Sequence, residues 1–174
     1  MNLFPPPKEL TPEPPRGSWR IEVPLAPKGA GRHRTAVVAG HVHTYQDDST
    51  KQWKAGVAYF AAGVLPKEPL EGPIQVNIWA ILPRPERLLK RSKKTGALLH
   101  GDEGLMWAPT KPDTDNIEKG VYDALKSAWR DDKQVVCGVT RKLYAEAAGK
   151  PRLVILIVAP PVMSMGLLYA QEGA

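Results

Sequence analysis

The chain has 174 residues, 43% hydrophobic and 24% charged, a balance that suits one folded domain and excludes a wholly disordered chain. A net charge of +6 favours a polyanionic partner, nucleic acid before anionic membrane. The single cysteine, Cys137, excludes a disulfide framework and a thiolate zinc site, so the chain reads as intracellular.

Met1 to Pro7 lacks the basic region and apolar stretch of a secretory signal. The longest apolar run, Leu153 to Leu168, is interrupted by Pro160-Pro161 and is too short to span a bilayer. The expectation is a cytoplasmic, soluble protein with no membrane partner. Pro5, Pro6, Pro7, Pro12, Pro14 and Pro15 crowd the start and predict an extended tail over 1–17. A folded domain is expected over 18–162, with a short C-terminal tail over 163–174.

The first strand is read from Trp19, Ile21 and Val23, which alternate with Arg20 and Glu22. Pro27 to Arg34 follows as a loop that carries Gly29, Gly31 and the cations Lys28, Arg32 and Arg34. Its glycines would let backbone amides approach a phosphate, or it is a solvated turn; both readings stay open. It lacks the spacing of a P-loop or a dinucleotide fingerprint. Ser49 with Gln52 resembles a capping box, and Trp53, Val57, Phe60, Ala61 and Val64 recur at helical spacing up to about Val64. Ile74 to Leu82 alternates as a strand.

Between Pro83 and Thr110 no period is evident. Arg84, Arg87, Lys90, Arg91, Lys93 and Lys94 form the densest cationic run, answered nearby only by Glu86. Such a run is usually a solvated loop. Its place just upstream of an acidic motif, with Lys111 between them, favours a track for a DNA backbone. A second helix is expected over Asp115 to Ala128. A strand over Gln134 to Ala145, a turn at Ala148-Gly149-Lys150 and an apolar strand over Arg152 to Ala159 complete the chain. The order β, α, β, α, β, β points to a mixed α/β (α+β) domain with helices against a mixed sheet.

Chemistry concentrates between Lys111 and Val135. Asp115 is a natural N-cap, with Glu118 three residues on to complete a capping box. Ile117, Val121, Ala124, Leu125 and Ala128 form one apolar arc, with Asp115, Lys119, Asp123 and Lys126 opposite it. Lys119 stands one turn beyond Asp115 and shares its space. Asp113 and Asp115 sit at a helix entrance, and Asp131 and Asp132 precede a strand. If the fold gathers both pairs, their repulsion calls for a cation, and oxygen ligands alone suit Mg²⁺, with Mn²⁺ as a substitute. Taken singly, each aspartate more often caps a helix or makes a turn. An EF-hand is not supported, because Ile117 and Glu118 occupy positions that it reserves for an acidic ligand and a glycine. His41 and His43 alternate without a third ligand at a telling distance, His33 follows Arg32 in the basic loop where it suits a phosphate contact, and His100 carries no assignment.

This segment resembles the RusA family of Holliday-junction resolvases. The family's mark is a Lys-Pro-Asp-x-Asp-Asn run opening a helix, a Lys one turn on, and Asp-Asp-x-Gln-Val after that helix. Those residues are Lys111 to Asn116, Lys119, and Asp131 to Val135 here. Pro27-Lys28-Gly29, Thr44-Tyr45 and the last strand pair follow the family more loosely. The resemblance implies that Asp113, Asp115 and Asp132 coordinate magnesium and that Lys119 is the catalytic lysine, with Asp131 a lesser member. It further implies a homodimer that makes paired nicks in four-way DNA junctions during recombination and repair, from a bacterium or phage. The Pro-rich tail and the long segment from Pro83 to Thr110 depart from that pattern. Within the latter, Trp107 would stack on an unpaired base or pack on its own fold. Two rival readings are a branched-DNA binder without catalysis and a nucleotide-sugar transferase with an Asp-x-Asp metal site.

Overall fold

Alternation at the N-terminus does make a strand. In the computed structural model, which describes residues 17–30, 34–38, 41–45, 47–101 and 103–159, β1 runs over Ser18–Val23 with Ile21 and Val23 fully buried. A hairpin follows, β2 (Arg34–Val38) and β3 (His41–Tyr45), which pair antiparallel as a separate two-stranded sheet. Then come α1 (Asp48–Ala62), β4 (Ile74–Leu82), a short β5 (Met106–Trp107), α2 (Thr114–Ala124), β6 (Val135–Tyr144) and β7 (Arg152–Val158). The main sheet has the order β1-β7-β4-β6-β5. Only β4 and β6 pair in parallel, so the sheet is mixed, as the element order led one to expect. The Pro-rich tail and the C-terminal tail expected from the sequence lie outside the described residues, Gly17 apart.

Both helices pack on one face of this sheet. Trp53, Val57 and Ala61 recur every fourth residue on α1, and Ile117, Val121 and Ala124 line α2; all join Ile74, Val76, Ile78, Leu153, Ile155 and Ile157 in one core. Lys54 ties α1 to Asp123 of α2 at 2.7 Å. The central strand β4 is buried on both sides. Trp79 and Ile81 face a second cluster, with Leu143, Val154, Leu156 and Leu105. No helix among the described residues is long and apolar enough to cross a membrane.

Four local expectations need correction. The second helix begins at Thr114 with Asp113 as its N-cap residue, not at Asp115, and it ends at Ala124 rather than Ala128. It stops there because Leu125 tightens the last turn, its amide reaching both Val121 and Tyr122. The chain then turns so that Ala128 accepts from Leu70 and Trp129 is buried. Neither capping box forms. Ser49 donates its hydroxyl to Asp47, the residue before α1, and Glu118 accepts from Thr140 Oγ1 on β6 at 2.7 Å instead of reaching back along its helix. The β2–β3 hairpin, finally, was not expected as strands, and the segment after Pro83 holds ordered turns rather than a featureless loop.

Candidate active site

Two tight approaches set the entrance of α2. Gly120 lets the helix lie against the loop after β1: a Cβ there would come within 3.4 Å of Ala30 N and Lys28 O. Ala30 in turn donates its amide to Asn116 O at 2.7 Å. From the other side Lys142 of β6 donates to Thr110 O at 2.7 Å and to Pro112 O at 2.9 Å. The Lys111–Pro112 bond between these anchors is cis. An open crevice of about 720 Å³ results, lined by Pro27, Lys28, Gly29, Ala30, Lys111, Pro112, Asp113 and Asn116.

The acidic residues behave differently at the two ends of α2. Asp113 is the N-cap residue by backbone, with ψ 155°, yet its carboxylate makes no capping bond. Asp113, Asp115 and Lys119 are all exposed, and none of their side chains makes a hydrogen bond or ion pair with a described residue. Beyond the far end, Asp132 accepts from Trp129 Nε1 at 3.1 Å. Asp131 caps the short 3-10 turn Asp132–Gln134, accepting from the Lys133 amide, while Gln134 Oε1 accepts from Arg130 N and Asp131 N. That backbone bond, chiefly, and then Lys133 hold the Asp131 carboxyl below its usual range. Asp131 thus makes a turn, and neither Asp113 nor Asp115 caps α2 through its side chain.

The two acidic pairs do not meet within one chain. The helix between them has 11 residues and is roughly 16 Å long at about 1.5 Å per residue. Among the described residues no group of three or more His, Cys, Asp or Glu is arranged to hold a metal ion. Between the two ends lie Glu118 and Tyr122, packed so closely on β6 that a Cβ at Gly138 would sit 2.5 Å from the Tyr122 hydroxyl. Burial, foremost, and the Glu118 carboxylate push the Tyr122 phenol well above its usual range, so it stays protonated.

A family model for the endodeoxyribonuclease RusA matches residues 24–158, which take in this whole arrangement. The chain belongs to the RusA endodeoxyribonuclease family. It is also 33% identical over 132 residues to the uncharacterized protein YqaN of Bacillus subtilis (strain 168), a stretch that covers 75% of this chain and 89% of that one. The RusA motif thus maps onto two structural jobs. Its Asp-x-Asp half is exposed and open to solvent at the crevice. Its Asp-Asp-x-Gln half is a joint, in which Gln134 Nε2 also donates to Leu70 O at 3.0 Å and Gly72 O at 2.9 Å.

The cations expected to meet DNA divide as well. Lys28 and Lys111 line the crevice, with Lys28 Nζ also at 2.5 Å from Ser49 Oγ and 3.7 Å from Asp47. Arg84 is a correction: only 8% exposed, it donates to Ala145 O at 2.8 Å and to Gly104 O, so it builds the fold. Arg91 pairs with Glu103, 2.7 Å away, so Glu86 is not the one carboxylate near this run. Arg87, Lys90, Lys93 and Lys94 are exposed. Arg32 lies outside the described residues, and Arg34 is described only as backbone of β2. Trp107 is 37% exposed and pairs its backbone with Leu143. Sequence reasoning missed Lys142, which braces the acidic entrance from β6; nothing marks such a lysine until the sheet register is known.

Proposed function

We propose that this RusA-family protein is a Mg²⁺-dependent, structure-specific endodeoxyribonuclease that resolves four-way DNA junctions by paired nicks, serving DNA recombination and repair. The observation that carries this reading is the exposed pair Asp113 and Asp115 beside a crevice rimmed by Lys28 and Lys111. Unengaged carboxylates next to cations suit a site where phosphate and a divalent ion meet. Two carboxylates with water and substrate oxygens are an ordinary magnesium environment, so these residues fit the ion, with Mn²⁺ as a substitute. When bound, such an ion polarises the phosphodiester and lowers the pKa of an attacking water. Asp113 and Asp115 would hold it, and Lys119, one turn on, would face the charge that develops on the phosphoryl oxygens. Lys142 keeps the entrance rigid by holding the carbonyls on either side of Lys111.

Asp132 cannot join that pair within its own chain. In this reading it acts across the homodimer, the Asp113–Asp115 end of one copy facing the Asp132 end of the other. A two-fold enzyme also suits a junction, where two related strands must be cut together. The reading is tested with a labelled four-way junction and a linear duplex, each with Mg²⁺ or with EDTA. Paired nicks in the junction alone, and only with metal, are expected. Tight junction binding without nicking in Mg²⁺ and in Mn²⁺ would replace it with a non-catalytic branched-DNA binder.

A further inference from the structure

The sequence of the excursion between β4 and β5 treats all six of its cations alike, as one track for a DNA backbone with only Glu86 nearby. In the structure it is a built arm. At its base Arg84 is buried against Ala145 O and Gly104 O, Leu105 and Ala108 enter the core, and Ala147 N donates to Glu103 O at 2.9 Å. Halfway out, Arg91 grips both Glu103 oxygens at 2.7 and 3.0 Å and also donates to Gly96 O. The tip is a small antiparallel hairpin. Arg91 and Leu98 form a bridge, Ser92 N donates to Ala97 O, Leu99 N donates to Lys90 O, and Gly96 turns the chain at φ +70°.

This construction sorts the six cations. Arg84 and Arg91 are consumed in holding the arm. Arg87, Lys90, Lys93 and Lys94 are exposed, and their side chains make no hydrogen bond or ion pair with any described residue. Lys93 and Lys94 sit side by side in the turn at the tip, where Lys94 N donates to Ser92 Oγ at 3.3 Å, so both ammonium groups are presented together at the outermost point of the arm. The arm returns through β5 into Thr110 and Lys111, so it leaves the sheet at the end where Asp113 stands.

We infer that residues 87–99 are a preformed arm that grips the phosphate backbone of duplex DNA beside the cutting site. The inference rests on the DNA-substrate reading above and adds a contact surface outside the Asp-x-Asp crevice. A grip of lysines on phosphate carries no sequence information, so it acts on a linear duplex as on a junction arm. Because the hairpin is already folded, little ordering entropy is lost on binding. An anionic lipid surface is the competing partner, since Leu89 and Leu99 stand exposed beside the lysines. DNA is favoured by the arm's place next to the acidic entrance and by its hairpin form, which lacks the broad apolar face of a membrane-surface helix.

The experiment compares the wild-type chain, K93A/K94A, K93R/K94R and K67E, an equal charge change on an exposed residue between α1 and β4. Affinity for a labelled duplex and a labelled four-way junction is measured by anisotropy across a salt series with EDTA present, and nicking is followed separately with Mg²⁺. In K93A/K94A the slope of log affinity against log salt should fall by about 2 on both DNAs, each lost phosphate contact removing about 0.9. K93R/K94R should restore the slope, and K67E should leave it unchanged. An unchanged slope in K93A/K94A, or an equal fall in K67E, overturns the arm. So does loss of binding to phosphatidylserine-containing vesicles with DNA binding intact. Wild-type protein with an arm-dependent slope that never nicks DNA would sink the nuclease reading and uphold the arm. Nicking with an arm-independent slope would do the reverse.

Discussion

At the N-terminal end of α2, the carboxylates of Asp113 and Asp115 stand exposed with no bond to a described residue, whereas beyond its C-terminal end Asp131 caps a turn and Asp132 accepts from Trp129. One motif thus supplies two kinds of carboxylate. The first kind contributes nothing visible to the fold and is open to a cation. The second is engaged, and the joint around it pins the loop before β4 to the start of β6. The difference separates chemistry from architecture, and each end should answer to mutation in its own way.

The largest effect belongs to the open end. Asp113→Asn or Asp115→Asn should lower junction cleavage by about 100-fold or more, as loss of a key electrostatic group does, while the melting temperature stays within about a degree. A collapse in melting temperature would mean that these residues are structural after all. The engaged end should show the opposite profile. Gln134→Ala removes two acceptor and two donor bonds. It should cost about 2 kcal/mol and lower the melting midpoint by roughly 5 °C or more, as calorimetry would read directly. If it melts like wild type, the joint is not what holds this end.

Lys142→Met lies between the two. It leaves the carbonyls of Thr110 and Pro112 without their brace, and should weaken Mg²⁺ activation about tenfold, as loss of a supporting residue does, with a smaller loss of stability. A magnesium titration of nicking checks it. The smallest effect is on pH. Asp131 has its folded pKa depressed, so its capping bond is fully present above the unfolded value and is lost as pH falls through the folded one. Thermal midpoints taken downward from about pH 5 should fall less steeply in Asp131→Asn than in wild type. Parallel curves would show that Asp131 carries no measurable linkage.

Much of the scaffold is legible without coordinates because it rests on periodicity. Ile74 to Leu82 coincides with β4, and the apolar arc of Ile117, Val121 and Ala124 faces the core as its spacing requires. Thr35, Val37 and Val38, with Val42, Thr44 and Tyr45 across Ala39-Gly40, carried a hairpin signal that the basic loop beside them obscured. Helix ends were harder. Thr140 competes for Glu118 from another strand, and Asp113 is the N-cap residue by backbone rather than by side chain, which no local pattern records. The acidic residues themselves could be picked by type and spacing. Their separation could not, because it depends on α2 running antiparallel to β6, so that Lys142 meets the Asp113 end and Asp132 the other. Arg84 and Arg91 looked like their neighbours for the same reason: their partners, Ala145 and Glu103, are distant in sequence.

The account stands or falls on whether the two acidic ends work together across two copies. Two inactive variants, Asp113→Asn and Asp132→Asn, should be co-expressed with different tags and the mixed dimer purified. In a site shared between copies, one of the mixed dimer's two sites keeps both its Asp113 and its Asp132. The account therefore predicts single nicks in a four-way junction with Mg²⁺, without paired resolution, from two proteins that are each inactive alone. A mixed dimer as silent as its parents, or an Asp132→Asn protein that cuts at the wild-type rate, would contradict it.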